Sequence, residues 1–176
     1  MIEVAPGTIV AVVGHDGAPA RVARRFAGPG YVPPGRRVFG SLTVEENIAV
    51  GAYRRPKRYD RVYERFPRLR ERRAQRASTL SGGEQQLLVI ARALMGAPEL
   101  LVLEDPSAGL APPAVAAVAD ALAGLTVLIA DEHLALARAA AGRVVLVEGD
   151  AIVFDRSHAD AFADQRLLAY YAPSPE

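Results

Sequence analysis

The chain contains no cysteine and no tryptophan among its 176 residues. Without cysteine there can be no disulfide, no thiolate metal ligand and no thiol nucleophile, a composition that suits a reducing compartment. Long apolar runs are missing too. The most alanine-rich stretch, Ala111 to Ala130, is broken by Asp120 and Gly124, short of the roughly 20 apolar residues of a spanning helix. The amino terminus, MIEVAPGTIV, has no basic segment and no cleavable apolar core, so a secretory signal is not expected. What remains is a soluble intracellular protein, one domain over residues 1–176, long enough to bury a proper core.

Charge is present in both signs but unevenly placed. Residues 1–76 carry sixteen Lys/Arg against seven Asp/Glu, and residues 77–176 carry five against thirteen. Much of the excess lies between Arg54 and Arg76. Such a run can hold nucleic acid or another anionic surface. Tyr59, Val62, Tyr63, Phe66 and Leu69 recur there at three- and four-residue steps, which favours a solvated amphipathic helix over a nucleic-acid surface. No stacking platform accompanies the charges.

Short β-branched runs alternate with helical patterns. Thr8–Val13, Leu100–Leu103 and Thr126–Ala130 read as buried parallel strands. Val144–Val147 and Ile152–Phe154, split by Glu148-Gly149-Asp150, read as a hairpin. Helices are expected over Arg21–Ala27, Ser81–Leu94, Pro113–Leu122, Leu134–Ala141 and His158–Tyr171. Thr43 with Glu46 makes a capping box, and the Gly/Pro-dense Gly28–Arg37 reads as loop. This order predicts an α/β fold, a mostly parallel sheet flanked by helices.

The most specific string is Leu80-Ser81-Gly82-Gly83-Glu84-Gln85-Gln86. A serine and two glycines opening a helix leave backbone N–H groups free at a positive dipole end, which seats an anion. A plain N-cap would account for Ser81 alone. About nineteen residues further on comes Leu101-Val102-Leu103-Glu104-Asp105-Pro106-Ser107. Together these resemble the signature and Walker B motifs of the ATP-binding-cassette (ABC) ATPases. Gly109-Leu110-Ala111-Pro112 resembles their D-loop region. Tyr31 to Phe39, with Leu42-Thr43-Val44-Glu45-Glu46-Asn47, is similar to the loop that enters their helical subdomain, here about residues 43–96. The resemblance runs from Thr8 to about Phe154 and is strongest to the ATPase subunits of branched-chain amino-acid importers. It implies a P-loop NTPase-like fold with ATP and Mg²⁺ as cofactors. The implied partners are a second cassette, paired head to tail, and transmembrane permease subunits. It implies a cytoplasmic protein, peripheral at the inner face of the cell membrane, moving an amino-acid-like cargo.

The departures from the family pattern are as informative. A phosphate loop needs a last glycine, a lysine for the β- and γ-phosphates and a hydroxyl for Mg²⁺. Here the loop reads Gly14-His15-Asp16-Gly17-Ala18-Pro19-Ala20-Arg21, so Pro19, Ala20 and Arg21 take those three places. The resemblance assigns nucleotide contacts to Gly14, His15, Asp16, Gly17, Ala18 and Arg21, and across a dimer to Ser81, Gly82, Gly83, Glu84 and Gln85. It assigns the metal-side carboxylate to Glu104 and the water-orienting one to Asp105, the reverse of the family's Asp-Glu order. Pro34 stands where a γ-phosphate-sensing side chain belongs. Glu132 falls at the switch-histidine position, with His133 one residue late, either a displaced switch or a helix-start histidine. No aromatic precedes Thr8 to stack on adenine, and the β-rich arm after the loop helix is reduced, which leaves an exposed sheet edge.

These losses fall on the phosphate-loop side and spare the signature side. The expectation is a pseudo-ATPase that completes the signature half of a composite ATP site, holding ATP and Mg²⁺ poorly on its own. The alternatives are a weakly active ATPase with Arg21 standing in for lysine, an interaction module retaining only the fold, and a degenerate product that folds poorly.

Overall fold

The computed structural model describes residues 2–53 and 55–172; Arg54, where the basic run begins, lies outside them. Six strands form one sheet among these residues: β1 (Ile9–Val13), β2 (Tyr31–Val32), β3 (Leu101–Glu104), β4 (Val127–Asp131), β5 (Arg143–Glu148) and β6 (Ala151–Ser157). Their spatial order is β2-β3-β4-β1-β5-β6. All neighbours are parallel except the β5–β6 hairpin. The helices are α1 (Ala18–Arg25), α2 (Val44–Val50), α3 (Tyr59–Arg65), α4 (Pro67–Glu71), α5 (Gly82–Met95), α6 (Pro112–Leu122), α7 (Leu134–Ala140), α8 (His158–Ala163) and α9 (Gln165–Tyr170).

The β-branched central strands are buried on both faces, which is why they read as continuous apolar runs rather than alternating ones. Val10, Val12, Val102, Leu128, Ala130, Val145 and Val147 form one cluster with Ala18 and Ala23 of α1. Ala11, Val13, Leu101, Leu103, Ile129, Val144 and Leu146 belong to the other, with residues of α5, α6 and α7. Successive residues point to opposite faces, so one short strand seeds two cores. The expected α/β architecture is found, and no strand lies between α1 and β2.

Four local expectations are corrected. Helix α1 begins at Ala18 rather than Arg21, because Gly17 takes a left-handed φ of 69° and turns the chain directly into the helix. Tyr31–Val32, expected as loop, pairs with β3, and the Val102 N–H donates to the Gly30 carbonyl. The basic run forms two helices, not one, because Pro67 opens α4 and cannot extend α3. The tail also divides in two at Asp164, whose side chain accepts the Arg166 N–H and caps α9.

The apolar stripe of that basic run packs as expected. Val62, Tyr63, Phe66 and Leu69 are buried in the larger core, while most of the intervening arginines are exposed. Asn47 is fully buried; its amide accepts from the Phe39 N–H at 2.9 Å and donates to the Phe39 carbonyl at 3.0 Å. It ties the loop before α2 to the helix.

Candidate nucleotide site

The loops after β1, β3 and β4 leave the carboxyl ends of adjacent parallel strands, where ligands bind in open α/β sheets. They enclose a cleft of about 210 Å³, lined in part by Pro19, Ala20, Pro34, Glu104, Asp105 and Glu132. Cavities for small ligands usually start near 300 Å³. This one is tight.

Both glycines of the first loop have local reasons to be there. A Cβ on Gly14 would overlap the Val147 carbonyl of β5, and Gly17 is left-handed. Three of the loop amides are already engaged and one is absent. The Gly17 N–H donates to Glu132 Oε1 at 2.7 Å, the Ala18 N–H donates to the His15 carbonyl at 3.0 Å, and Pro19 has none. The His15 N–H donates to the Tyr170 hydroxyl at 3.1 Å. Arg21 lies along the outside, donating to the Asp16 carbonyl at 3.0 Å and the Gly149 carbonyl at 3.3 Å, with Asp150 at 3.7 Å.

Glu104 closes β3 with its side chain 3% exposed. A buried carboxylate is costly unless its charge is matched, and here Arg24 donates to it at 2.8 Å and the Tyr31 hydroxyl donates to it as well. The hydrogen bond to Glu104, and then its charge, raise the Arg24 guanidinium above its ordinary value. Burial, then Glu104, pushes the Tyr31 hydroxyl up. The carboxylate expected to hold metal is thus matched by cation and hydroxyl from α1 and β2.

Asp105 follows in a left-handed conformation, φ 52°, so it turns away from the strand. Asp131, the last residue of β4, is buried and accepts from the Ser107 N–H at 3.0 Å and the His133 N–H at 2.9 Å. His133 opens α7 as its N-cap residue, and its Nδ1 lies 3.2 Å from Asp131 and 3.8 Å from Asp105. Ligand atoms of Asp105, Asp131 and His133 all lie within 4.8 Å of one another, a spacing that could admit a cation. Burial and then the Asp131 charge raise the Asp105 carboxyl above the usual carboxylate range.

That shift predicts a pH dependence. A carboxyl raised in the folded state contributes stability below its unfolded value and loses it as pH rises through the raised one. At neutral pH the ionised Asp105 therefore opposes folding. Asp105→Asn keeps a residue that tolerates left-handed backbone and removes the charge. Its melting temperature at pH 7 should rise by about 2 °C, with a flatter acid-side profile in a thermal scan from pH 4 to 8. A melting temperature unchanged or lowered at pH 7 contradicts this account.

The signature side is built differently. Ser81 caps α5 in a full capping box: its hydroxyl accepts the Glu84 N–H at 3.3 Å, while Glu84 accepts the Ser81 N–H at 2.9 Å. Burial pushes the Glu84 carboxyl up, but Ser81 and Arg72 outweigh it and hold the group below its ordinary value. Close approach explains Gly83, whereas at Gly82 the neighbour is the tip of a flexible side chain. A Cβ on Gly82 would sit 2.8 Å from the Arg36 guanidinium, and one on Gly83 2.7 Å from Ala114. Arg36 bridges from there to the Ala108 carbonyl at 2.8 Å. Gln85 turns inward, donating to the Leu80 carbonyl at 3.2 Å.

The ABC transporter family model matches residues 21–108, half of the chain. The chain belongs to the ABC transporter family. Among curated relatives of this cassette, the high-affinity branched-chain amino acid transport ATP-binding protein BraG of Pseudomonas aeruginosa is 41% identical over 150 residues. That match covers 80% of this chain and 64% of BraG. The phosphonates import ATP-binding protein PhnC of Burkholderia pseudomallei is 32% identical over 178 residues, 89% of this chain and 58% of PhnC. The chain therefore spans less than two thirds of the length of these relatives. A solved nucleotide-free ATP-binding cassette from an ABC transporter shares the fold with a TM-score of 0.80 at 19% identity, over 98% of this chain and 91% of that one. So does cbiO1 from Clostridium perfringens, TM-score 0.80 at 17% identity, over 96% and 84%.

The segment 14–21, expected as the phosphate loop, offers a magnesium triphosphate few of the groups it needs. A carboxylate sits on the Gly17 amide, residue 19 lacks an N–H, and neither lysine nor hydroxyl occupies positions 20 and 21. Of the residues that sequence reasoning named, Glu104 and Asp105 line the cleft and His133 lies beside Asp105, while Arg24, Tyr31, Asp131, Tyr170 and Tyr171 were not named as site residues. Asp131 directly follows the apolar run 126–130, and that position was the available signal for it.

Proposed function

We propose that this chain is the ATP-binding subunit of an ABC importer, acting as a pseudo-ATPase that supplies the signature half of a composite site. The observation that carries this reading is the contrast between the two halves. The α5 amino terminus presents a capped helix end with first-turn glycine amides that a helix cannot pair internally, and Arg36 adds positive charge beside Gly82. The phosphate-loop half has its His15, Gly17 and Ala18 amides engaged and Glu104 paired with Arg24. In this reading Ser81, Gly82 and Gly83 face the triphosphate held by the loop of a competent second cassette, and Glu84 and Gln85 hold that helix end in shape. Asp105 and His133 carry no catalytic step in this chain.

The names of BraG and PhnC support import of a small charged solute, amino-acid-like by the stronger match. Permease subunits are the expected membrane partners, and the protein itself lies at the cytoplasmic face. No helix among the described residues is long and apolar enough to cross a membrane. The competing reading, a weak ATPase with Arg21 in place of lysine, is disfavoured because Arg21 points to Asp150 and the β5–β6 turn.

A phosphate-release assay on the isolated chain with Mg²⁺-ATP tests the proposal. No turnover is expected alone, and turnover is expected when a competent cassette is added. Release by the isolated chain, abolished by Arg21→Ala, would establish the weak-ATPase reading instead.

A further inference from the structure

Two distant parts of the chain converge on the first loop. Glu132, 115 residues away in sequence, accepts the Gly17 N–H at 2.7 Å. The carboxy-terminal tyrosines arrive from more than 150 residues away. Tyr170 stacks its ring on that of His15 at 4.6 Å and 13° between planes. Its hydroxyl accepts the His15 N–H at 3.1 Å, and its carbonyl lies 3.3 Å from His15 Nε2. Tyr171 donates its hydroxyl to the Gly14 carbonyl at 3.3 Å, with its ring 4.7 Å from His15. Burial pushes the Tyr171 hydroxyl up, so it stays a protonated donor.

We propose that Glu132, Tyr170 and Tyr171 form a single latch that holds this chain's phosphate loop shut against anions. The proposal rests on reading residues 14–21 as the phosphate loop, and it does not depend on the composite-site reading. Glu132 occupies the end of α1 that would attract a phosphate, because partial positive charge at a helix start favours any carboxylate placed there. A phosphate arriving at Gly17 meets a like charge and a donor already in use. The tyrosines act on the same loop two and three residues earlier, clamping both the His15 amide and the Gly14 carbonyl. Their anchor is Leu167, fully buried one turn earlier in α9. Since the contacts all fall on Gly14, His15 and Gly17 of one short loop, releasing one loosens the rest. A loop that is open only a small fraction of the time binds its ligand weaker by that fraction.

NMR-detected amide exchange on the full chain tests this, with Glu132→Ala and Tyr170→Phe as variants. Glu132 is exposed, so its replacement leaves the core alone, and the β1 amides report on global stability. In Glu132→Ala the Gly17 and His15 amides should both exchange about tenfold faster, with β1 unchanged. Tyr170→Phe keeps the stacking, removes the acceptor for His15, and should speed both amides likewise. Inorganic pyrophosphate should then re-protect Gly17 in Glu132→Ala at about one tenth of the concentration wild type needs. Acceleration confined to the amide whose own acceptor was removed overturns the latch, and so does equal pyrophosphate demand in the two proteins. Neither exchange result depends on turnover, so the latch and the composite-site reading can fail separately.

Discussion

Ser81→Arg is expected to abolish ATP turnover in a dimer of this chain with a hydrolytic cassette, by at least about a hundredfold, the scale on which a lost donor at a developing oxyanion is felt. The substitution acts twice. It removes the hydroxyl that accepts the Glu84 N–H, a cap that contributes about 1 kcal/mol. It also brings a second guanidinium to the place where Arg36 already approaches Gly82, filling the space that the proposed composite site reserves for a second cassette's phosphates. The fold should survive, since Ser81 is exposed and the α5 core face is unaltered. The measurement is phosphate release from mixed dimers, with the isolated variant's thermal melt as control. An undiminished rate in a folded variant would reject the composite site.

The largest stability effect is expected at a residue far from any chemistry. Gly51 ends α2 where that helix meets α5, and a Cβ there would overlap the Arg92 carbonyl. The obstacle is backbone on the 14-residue α5, not the tip of a flexible side chain, so α2 and α5 must separate. Overpacking of this kind costs about 3 kcal/mol, and Gly51→Ala should lower the melting temperature by about 6–12 °C. The affected joint lies in the helical region about residues 43–96 that carries the signature helix, so ATP turnover of a mixed dimer should fall with it. A melt within about 1 °C of wild type would show that the two helices shift apart freely.

Much of the cleft was legible in the sequence because parallel strands advertise themselves. A run such as Leu101–Leu103 buried on both faces is β-branched or aliphatic throughout, and the polar residue that follows must stand at the carboxyl end of the sheet. Glu104 and Asp105 were singled out by the resemblance of Leu101–Ser107 to a Walker B motif, and the strand run before them agrees with that position. The capping box at Thr43 was equally plain, a local exchange of two hydrogen bonds over three residues; at Ser81 the sequence reading stopped at an N-cap, and the structure adds the reciprocal bond to Glu84. The signature glycines also have neighbours that the sequence did not show. Arg36 and Ala114 press on them from within the same chain, and neither neighbour is close in sequence.

The carboxy-terminal tyrosines were the hardest to see. Periodicity made the tail a helix, but nothing local says that Tyr170 and Tyr171 reach the loop after β1. That contact exists because α8 and α9 fold back beside the β5–β6 hairpin, with Ala161 and Leu167 buried. Arg24 was similarly silent. It sits two turns into a helix whose start was misplaced by three residues, and only the true start at Ala18 carries its guanidinium to Glu104.

By itself, then, the sequence determined the α/β class, the strand runs, the helix caps and the family, all of which depend on residue type at short spacing. Only the tertiary structure decided the states of the groups at the cleft: that Glu104 is matched by Arg24 and Tyr31, that Asp105 is raised by burial and Asp131, and that the Gly17 amide is held by Glu132. Charge matching, desolvation and hydrogen bonding act over a few ångströms in space, and the residues that meet there lie up to 157 positions apart along the chain.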